Sequence, residues 1–520
     1  MAENAIIIAN GFVFCCDPTN QVGRFHLFVQ DGRIQEIGGT LTALTTLHPS
    51  AAVVDAAGKL IVPGFVNAHY HTHSFLLHEL TDGKPFSSWK TSRPLRDLAQ
   101  LLIEPGNAGQ LETIVRAEQL AHLKSGTTCV GEFPPSVDAA GLDLLFSVAD
   151  AIGVRTVVML QNWEQIVHAR EDKDTHRKFL VSVGKEEDYT VYSFENFVRS
   201  AKELGCPVVV HAGELREDVE LVRKNFTKSL CTLLKDFGAL QPSTLLVHMN
   251  HAANEDVENL MEIGAAVALC TASAGRKQTG YPFLRALADH PARLCLGTDW
   301  GSVDMFTEMR FLLSLPKLFA AMPAISPVDV VRMATIEGAA ALGLGEDIGS
   351  IEVGKCADLS FYSLDDIRIK PPRDGWTADE CAELIVGSLS SQDVADVMVE
   401  GRFLLRNRQT LALSEQDIIA DFRKLRERVL PQEGLQAVAT SSVLRPKTYA
   451  FATGERTLNR ESEDFVEGFV VVKKTPGELV GTTKNAPPPE PPAPPIIPRL
   501  GVQPELSKTV KKVFGEDEDF

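Results

Sequence analysis

Eight short apolar runs, each followed by a longer stretch of helical spacing, fill the chain from about residue 59 to 345. No other feature limits the fold as strongly. The runs read IVPGFVNAH, GTTCVGEF, VRTVVMLQ, KFLVSVG, CPVVVHAGE, TLLVHMNHA, GAAVALC and RLCLGTDW. Short continuous apolar runs suit strands buried on both faces, and a parallel sheet covered by helices is where such strands occur. Eight of them alternating with helices predict an α/β fold built as a (β/α)8 TIM barrel over residues 59–345. The flanks differ. Residues 1–58 carry short strand-like segments punctuated by Asn-Gly, Asp-Gly and Gly-Gly, and residues 346–412 return to short strands. The two flanks are expected to join in one small composite β-sandwich, with the barrel inserted between its halves. Ser414, with Gln416 and Asp417 in the first turn, predicts a C-terminal helix over 413–431. Residues 432–520 lose clear periodicity and read as an irregular Pro-rich extension, with APPPEPPAPPIIP (486–498) as an extended polyproline-type linker.

Charge and cysteine content remove several function classes. A formal charge of −18 sets the surface against nucleic-acid backbones and anionic membranes. No apolar stretch reaches the length of a membrane-spanning helix, and MAENAIIIANG has neither the basic start nor the apolar length of a targeting signal. Nine cysteines without CxxC pairs read as free thiols in a reducing cytoplasm.

The chain has 13 histidines, and three of them, His69, His71 and His73, fall at alternate positions in PGFVNAHYHTH. On a strand they share one face. If this is the first barrel strand, His69 and His71 point inward at its C-terminal end, where barrel active sites lie. HxH alone is a weak signal. Three other strand ends add to it: VVVHAGE ends in His211 with Glu214 three residues on, TLLVHMNH in His248 and His251, and RLCLGTDWGS in Asp299. Each has an ordinary explanation singly, as a satisfied buried histidine or a helix-capping carboxylate. Four strand ends aiming ligand-type groups at one rim are better explained by a divalent metal site. Three imidazoles, one carboxylate and an open position for water suit Zn2+, with Fe as the alternative.

The chain resembles the amidohydrolase superfamily, in particular its cytosine deaminase-like branch of metal-dependent deaminases and triazine or guanine hydrolases. The likeness covers about residues 5–412 and rests on GKLIVPGFVNAHYH, KSGTTCVGE, VVVHAGE, LGTDWGSVDMFTEMR and MATIEGAAALGLGEDIGSIEVGKCADLSFYS in that order. It implies His69, His71, His211 and Asp299 as ligands of one divalent ion, Glu214 as proton shuttle, and His248 as the residue that orients or polarises the hydrolytic water, with Asp299 and His248 both catalytic as groups that can take and hold the water's proton. The implied reaction is attack of hydroxide generated at the metal on an electron-poor C–N carbon, releasing ammonia from an aminated heterocycle or a related amidine or guanidine. The implied partner is a small molecule. Family members often form dimers or larger assemblies, which leaves a homo-oligomer open here.

Departures from the branch bear on substrate. The Pro-His-Ala-Pro-Tyr type segment after the fourth strand is replaced by GKEEDYTVYS, which puts Glu186 near the missing histidine. The Pro-Thr-Ser-Asn segment after the seventh strand is replaced by CTASAGRKQTGY, and the loop after Asp299 is shortened so that Trp300 reaches the rim. A carboxylate and an aromatic plane would favour a flat substrate that is cationic or rich in N–H donors, and they count against a standard cytosine or nucleoside. His73, His78 and Trp89 complete the candidate substrate contacts, each with a packing or surface role as its alternative. Rival readings are a binuclear cyclic-amide hydrolase using Lys185 as a bridging ligand, a triazine-type chlorohydrolase, and a non-catalytic scaffold of the same fold.

Overall fold

The computed structural model describes residues 5–430 except 82–83, 105–106, 173, 175, 183–190, 281–291 and 319–323. Its centre is a parallel barrel whose strands are Phe65–His71, Thr127–Phe133, Arg155–Leu160, Lys178–Ser182, Val208–Ala212, Leu245–His248, Ala266–Leu269 and Arg293–Leu296. Each hydrogen-bonds to the next in sequence order. The ring closes just past the last strand: Asp299 N donates to His69 O at 2.9 Å, and His71 N donates to Asp299 O at 3.1 Å. Closure depends on Gly297. A Cβ there would stand 2.8 Å from the His69 Cβ and 2.9 Å from its backbone nitrogen, so any larger residue would push the last strand off the first.

The first apolar run belongs to two structures. Lys59–Pro63 is a strand of the outer sheet and Phe65–His71 is barrel, with Gly64 at the junction. A Cβ at Gly64 would fall 2.1 Å from Thr128 Oγ1, so the junction can pass the second barrel strand only as glycine.

The outer sheet is composite. N-terminal strands Ala5–Phe14, Val22–Gln30, Arg33–Ile37, Ala52–Asp55 and Lys59–Pro63 meet C-terminal strands Leu359–Ser363, Val394–Val399, Arg402–Arg406 and Gln409–Thr410. The halves join where Leu359–Ser363 runs antiparallel to Lys59–Pro63. Hydrogen bonding runs through all nine strands, so the two flanks build one composite β domain beside the barrel. Irregular register at Ile8/Gly11, Phe28/Val29, Phe361/Tyr362 and Val397/Met398 bends the strands that carry it.

The helix Glu415–Val429 is capped by Ser414, whose hydroxyl accepts from Asp417 N. Leu425 and Leu430 pack with Leu76, Leu77, Trp89, Leu95 and Leu102, so this helix braces the short helices that follow the first barrel strand. All nine cysteines are free thiols. Among the described residues no helix is long and apolar enough to cross a membrane.

Candidate metal centre and the cavity beside it

Alternation along Phe65–His71 turns His69 and His71 to the barrel interior at the C-terminal end of the strand. The fifth strand delivers His211 and the sixth His248 to the same end, and Asp299 arrives from the loop after the eighth. Asp299 and His248 have φ of +56° and +80°, a left-handed conformation that costs a non-glycine residue energy. The closing hydrogen bonds to the first strand hold Asp299 in it.

The side chains converge on one point. His69 Nε2 lies 3.2 Å from His71 Nε2, 3.2 Å from His211 Nε2 and 3.7 Å from Asp299 Oδ1, while His71 Nε2 lies 3.1 Å from the same oxygen. A neutral imidazole can donate from only one ring nitrogen. A single proton on His69 Nε2 cannot serve three partners at once, whereas one cation between them can. Two ligand atoms on a tetrahedral zinc, each about 2.05 Å from it, stand about 3.3 Å apart. The observed spacings match a donor set of that size, and His69, His248 and Asp299 form a second converging group.

Electrostatics prepare the same groups. Burial, followed by the neighbouring His211 and His71, holds the His69 imidazole neutral to well below the usual histidine range. Burial with His71 and His248 does the same for His211. Both therefore keep a lone pair for a metal. Burial alone would raise the Asp299 carboxyl; the Lys277 ammonium and the His71 hydrogen bond outweigh it and hold Asp299 well below the usual carboxylate range.

Lys277 is the participant that sequence reasoning missed. It ends the helix Thr271–Lys277, directly after the seventh strand, and is 3% exposed. Its Nζ lies 2.8 Å from Glu214 Oε1 and 2.7 Å from Asp299 Oδ2, and Ser273 Oγ donates to the same Asp299 oxygen at 2.5 Å. Burial would lower the lysine; Asp299 and Glu214 outweigh it and keep the ammonium charged. The available signal was spacing: Ser273 and Lys277 are four residues apart, on one helix face, right after a strand end. Glu214 is buried at 3%, and its Oε2 lies 3.6 Å from His248 Nε2.

The other expected residues divide. Trp300 packs 5.4 Å from Trp89 and 5.7 Å from His71 between ring centroids, and its indole N–H donates to Thr81 Oγ1 at 3.0 Å. Trp89, Trp300, His78, Ser273, Arg276 and Lys277 line a cavity of about 260 Å³. His73 lies beside the centre, buried under Trp300 with ring centroids 5.6 Å apart; its backbone N–H donates to Glu118 Oε1 at 2.8 Å. Burial, then His71, lowers its imidazole to about 3. His251 turns away, its Nε2 2.6 Å from the Thr279 carbonyl oxygen. Glu186 and Lys185 lie outside the described residues.

Behind the first strand is a buried acid pair with no sequence signal. Glu118 accepts from Tyr70 Oη at 2.9 Å, and Glu132 accepts from Thr72 Oγ1 at 3.2 Å and from Gln119. Burial raises the Glu132 carboxyl from 4.5 to about 7, with the Thr72 and Gln119 hydrogen bonds opposing. Between those two values the folded protein binds a proton that the unfolded chain releases, so stability falls as pH rises through this window. A shift of that size is on the order of 3 kcal/mol. Burial, then Glu132, raises the Glu118 carboxyl as well, so Glu132→Gln is expected to remove only its own share of this slope: urea unfolding at pH 5 and pH 7.5 should show wild type losing more stability on the alkaline side than the variant. Equal losses would mean that Glu132 ionises freely in the fold.

Known proteins share this architecture. The amidohydrolase family profile matches residues 60–404. A 5-methylthioadenosine/S-adenosylhomocysteine deaminase of Halobacterium salinarum is 30% identical over 438 residues, covering 79% of this chain and 95% of the relative. The enzyme of the same name from Teredinibacter turnerae is 29% identical over 398 residues, covering 72% and 86%. In three dimensions the chain superposes on an adenosine deaminase from Xanthomonas campestris with bound zinc, with a TM-score of 0.72 at 24% identity over 82% of this chain and 98% of the other. It also superposes on a zinc-complexed atrazine chlorohydrolase from Arthrobacter aurescens, with a TM-score of 0.70 at 19% identity over 81% and 100%. At those identities the superpositions establish the barrel and its outer sheet. The family match and the sequence relatives go further: the chain belongs to the amidohydrolase family and is a hydrolase of C–N bonds.

Proposed function

We propose that the protein is a metal-dependent deaminase that releases ammonia from an aminated heterocycle, with His69, His71, His211 and Asp299 holding one divalent ion. The observation that carries this reading is the convergence of three imidazole nitrogens and one carboxylate oxygen at ligand spacing, with Glu214 and His248 at its edge. A divalent ion held there supplies a Lewis acid that brings the pKa of a water toward neutrality. Zinc suits the N3O donor set, and iron is the alternative.

The remaining work falls to the chain's own groups. One Asp299 oxygen faces the histidines, and the other accepts from Lys277 and Ser273. Both of its oxygens are thus engaged, and proton transfer passes to Glu214. Glu214 takes the proton released as water oxygen bonds to the amine-bearing carbon and gives it to the adjacent ring nitrogen. The second proton of the water, leaving the new hydroxyl as it becomes a carbonyl, then passes through Glu214 to the amino group, and the C–N bond breaks with its electron pair leaving on ammonia. His248, at 3.6 Å from Glu214, orients the water. Trp89 and Trp300 offer flat walls for a planar ring.

The sequence relatives carry names of deaminases acting on 5-methylthioadenosine, S-adenosylhomocysteine and, for one from Methanosarcina mazei, 5'-deoxyadenosine. Those adenine nucleosides are the first substrates to test, although the altered loops argue for a different ring or ring substituent. The experiment is ammonia release by protein loaded with one zinc per chain, over these nucleosides and then aminated pyrimidines, pterins, triazines and guanidino compounds. Ammonia from at least one of them, abolished by chelation and restored by metal, is the expected result. Stoichiometric metal with no ammonia from any amine would overturn the deaminase reading.

A further inference from the structure

The cavity beside the centre has the wrong charge for a cationic ligand. Among its described lining residues there is no carboxylate, but beside His78 there are an arginine and a lysine, Arg276 and Lys277. Lys277 is buried between Asp299 and Glu214, with Nζ 4.7 Å from the Phe86 ring centroid. Arg276 is half-buried, and its guanidinium donates to the Trp300 carbonyl at 2.9 Å. Among the described residues it makes no other hydrogen bond, so the rest of its fork of donors remains for a ligand.

Charge balance gives this pair a role. Without an ion, Lys277 offsets part of the charge of Asp299 and Glu214. A divalent ion on the histidines and Asp299 adds two positive charges to those two carboxylates and one ammonium. The loaded site then carries one positive charge in excess, with Arg276 set against the nearby buried Glu308 carboxyl. Beside the buried Trp89 and Lys277, such an excess is costly unless a ligand brings the opposite charge.

We propose that the cavity takes a flat aminated ring bearing an anionic group, a carboxylate or an equivalent, and that Lys277 and Arg276 select for that group. This rests on the metal-dependent reading above and narrows its substrate class. Lys277 is here a specificity residue, reaching the anion from beside the two carboxylates; Arg276 meets it from the rim.

The test compares nicotinate with nicotinamide, two flat rings of nearly equal size that differ by one charge. Binding is measured by calorimetry to protein loaded with one zinc per chain. Both probes carry the same pyridine nitrogen, so any coordination through it cancels. Wild type is expected to bind nicotinate at least about tenfold more tightly, equivalent to about 1.4 kcal/mol. In Lys277→Met the preference should fall to within about twofold. In Arg276→Gln, at a half-buried position and therefore tolerant of change, it should fall at least about threefold. The Arg276 variant decides the matter if Lys277→Met does not fold. Equal binding of the two probes, or no binding of either at 10 mM, would overturn the proposal. So would a preference that survives both substitutions, because the carboxylate would then be sitting on the ion. Zinc content is read in the same samples. Loaded protein without the preference sinks the anion site alone, whereas protein that takes up no zinc sinks the metal reading and the excess charge with it.

Discussion

Glu214→Gln is expected to lower the rate of ammonia release by about a thousandfold, inside the roughly 10²–10⁴ range that a positioned acid–base group contributes. Metal content should stay at one ion per chain, because Glu214 is not among the atoms at ligand spacing. The substitution preserves shape and an amide oxygen able to accept from Lys277, 2.8 Å away in the wild type. It removes the ability to take a proton from water and pass it to a ring nitrogen. The loss should appear in kcat more than in KM, since the group acts on the reacting atoms rather than on the bound ring. The same variant separates the chemistry that this fold can host. Chloride departs without a proton, so a dechlorination would survive Glu214→Gln far better than a deamination. A variant within tenfold of wild type would remove Glu214 from the reaction.

How far the sequence could be read depended on whether the information was local. Strand alternation is local, so His69 and His71 were assignable to one face, and apolar runs ending in a polar residue marked His211, His248 and Asp299 as groups at one rim. The barrel and its outer sheet were legible for the same reason, since they follow from run length and turn residues. The joint inside IVPGFVNAH was not, because Lys59–Pro63 and Phe65–His71 differ only in which sheet receives them, and that is decided by the fit of Gly64 against Thr128. Lys277 was hidden more deeply. Its meaning comes from Glu214 and Asp299, brought in by two other strand ends, and a lysine beside an arginine in a polar loop ordinarily reads as solvated surface. His73 looked equally suited to a surface loop. A left-handed turn at φ +75° and the hydrogen bond to Glu118 place it under Trp300 instead.

Removing the ion should produce the largest change in stability, and the arrangement of charge explains why. Without a cation, the fully buried His69 Nε2 faces two other imidazole nitrogens at 3.2 Å and a carboxylate oxygen at 3.7 Å. Lys277 relieves Asp299 from the far side but reaches none of the three histidines within hydrogen-bond distance. An ion present at a thousand times its dissociation constant adds about 4 kcal/mol to folding stability by mass action. For a cooperative unit of roughly 400 residues that corresponds to a melting shift of about 5 °C. Chelation should therefore lower the melting temperature by about that amount and abolish turnover, and zinc should restore both. His69→Ala should give the chelated state permanently: no bound ion, no rate above background, and no response of the melting curve to chelator or zinc. The unresponsive melt is the discriminating observation, since lost packing alone would lower the melting temperature yet leave the zinc-dependent increment in place. Should His69→Ala still gain several degrees from zinc, the ion would be bound elsewhere and the convergence of His69, His71, His211 and Asp299 would need another cause.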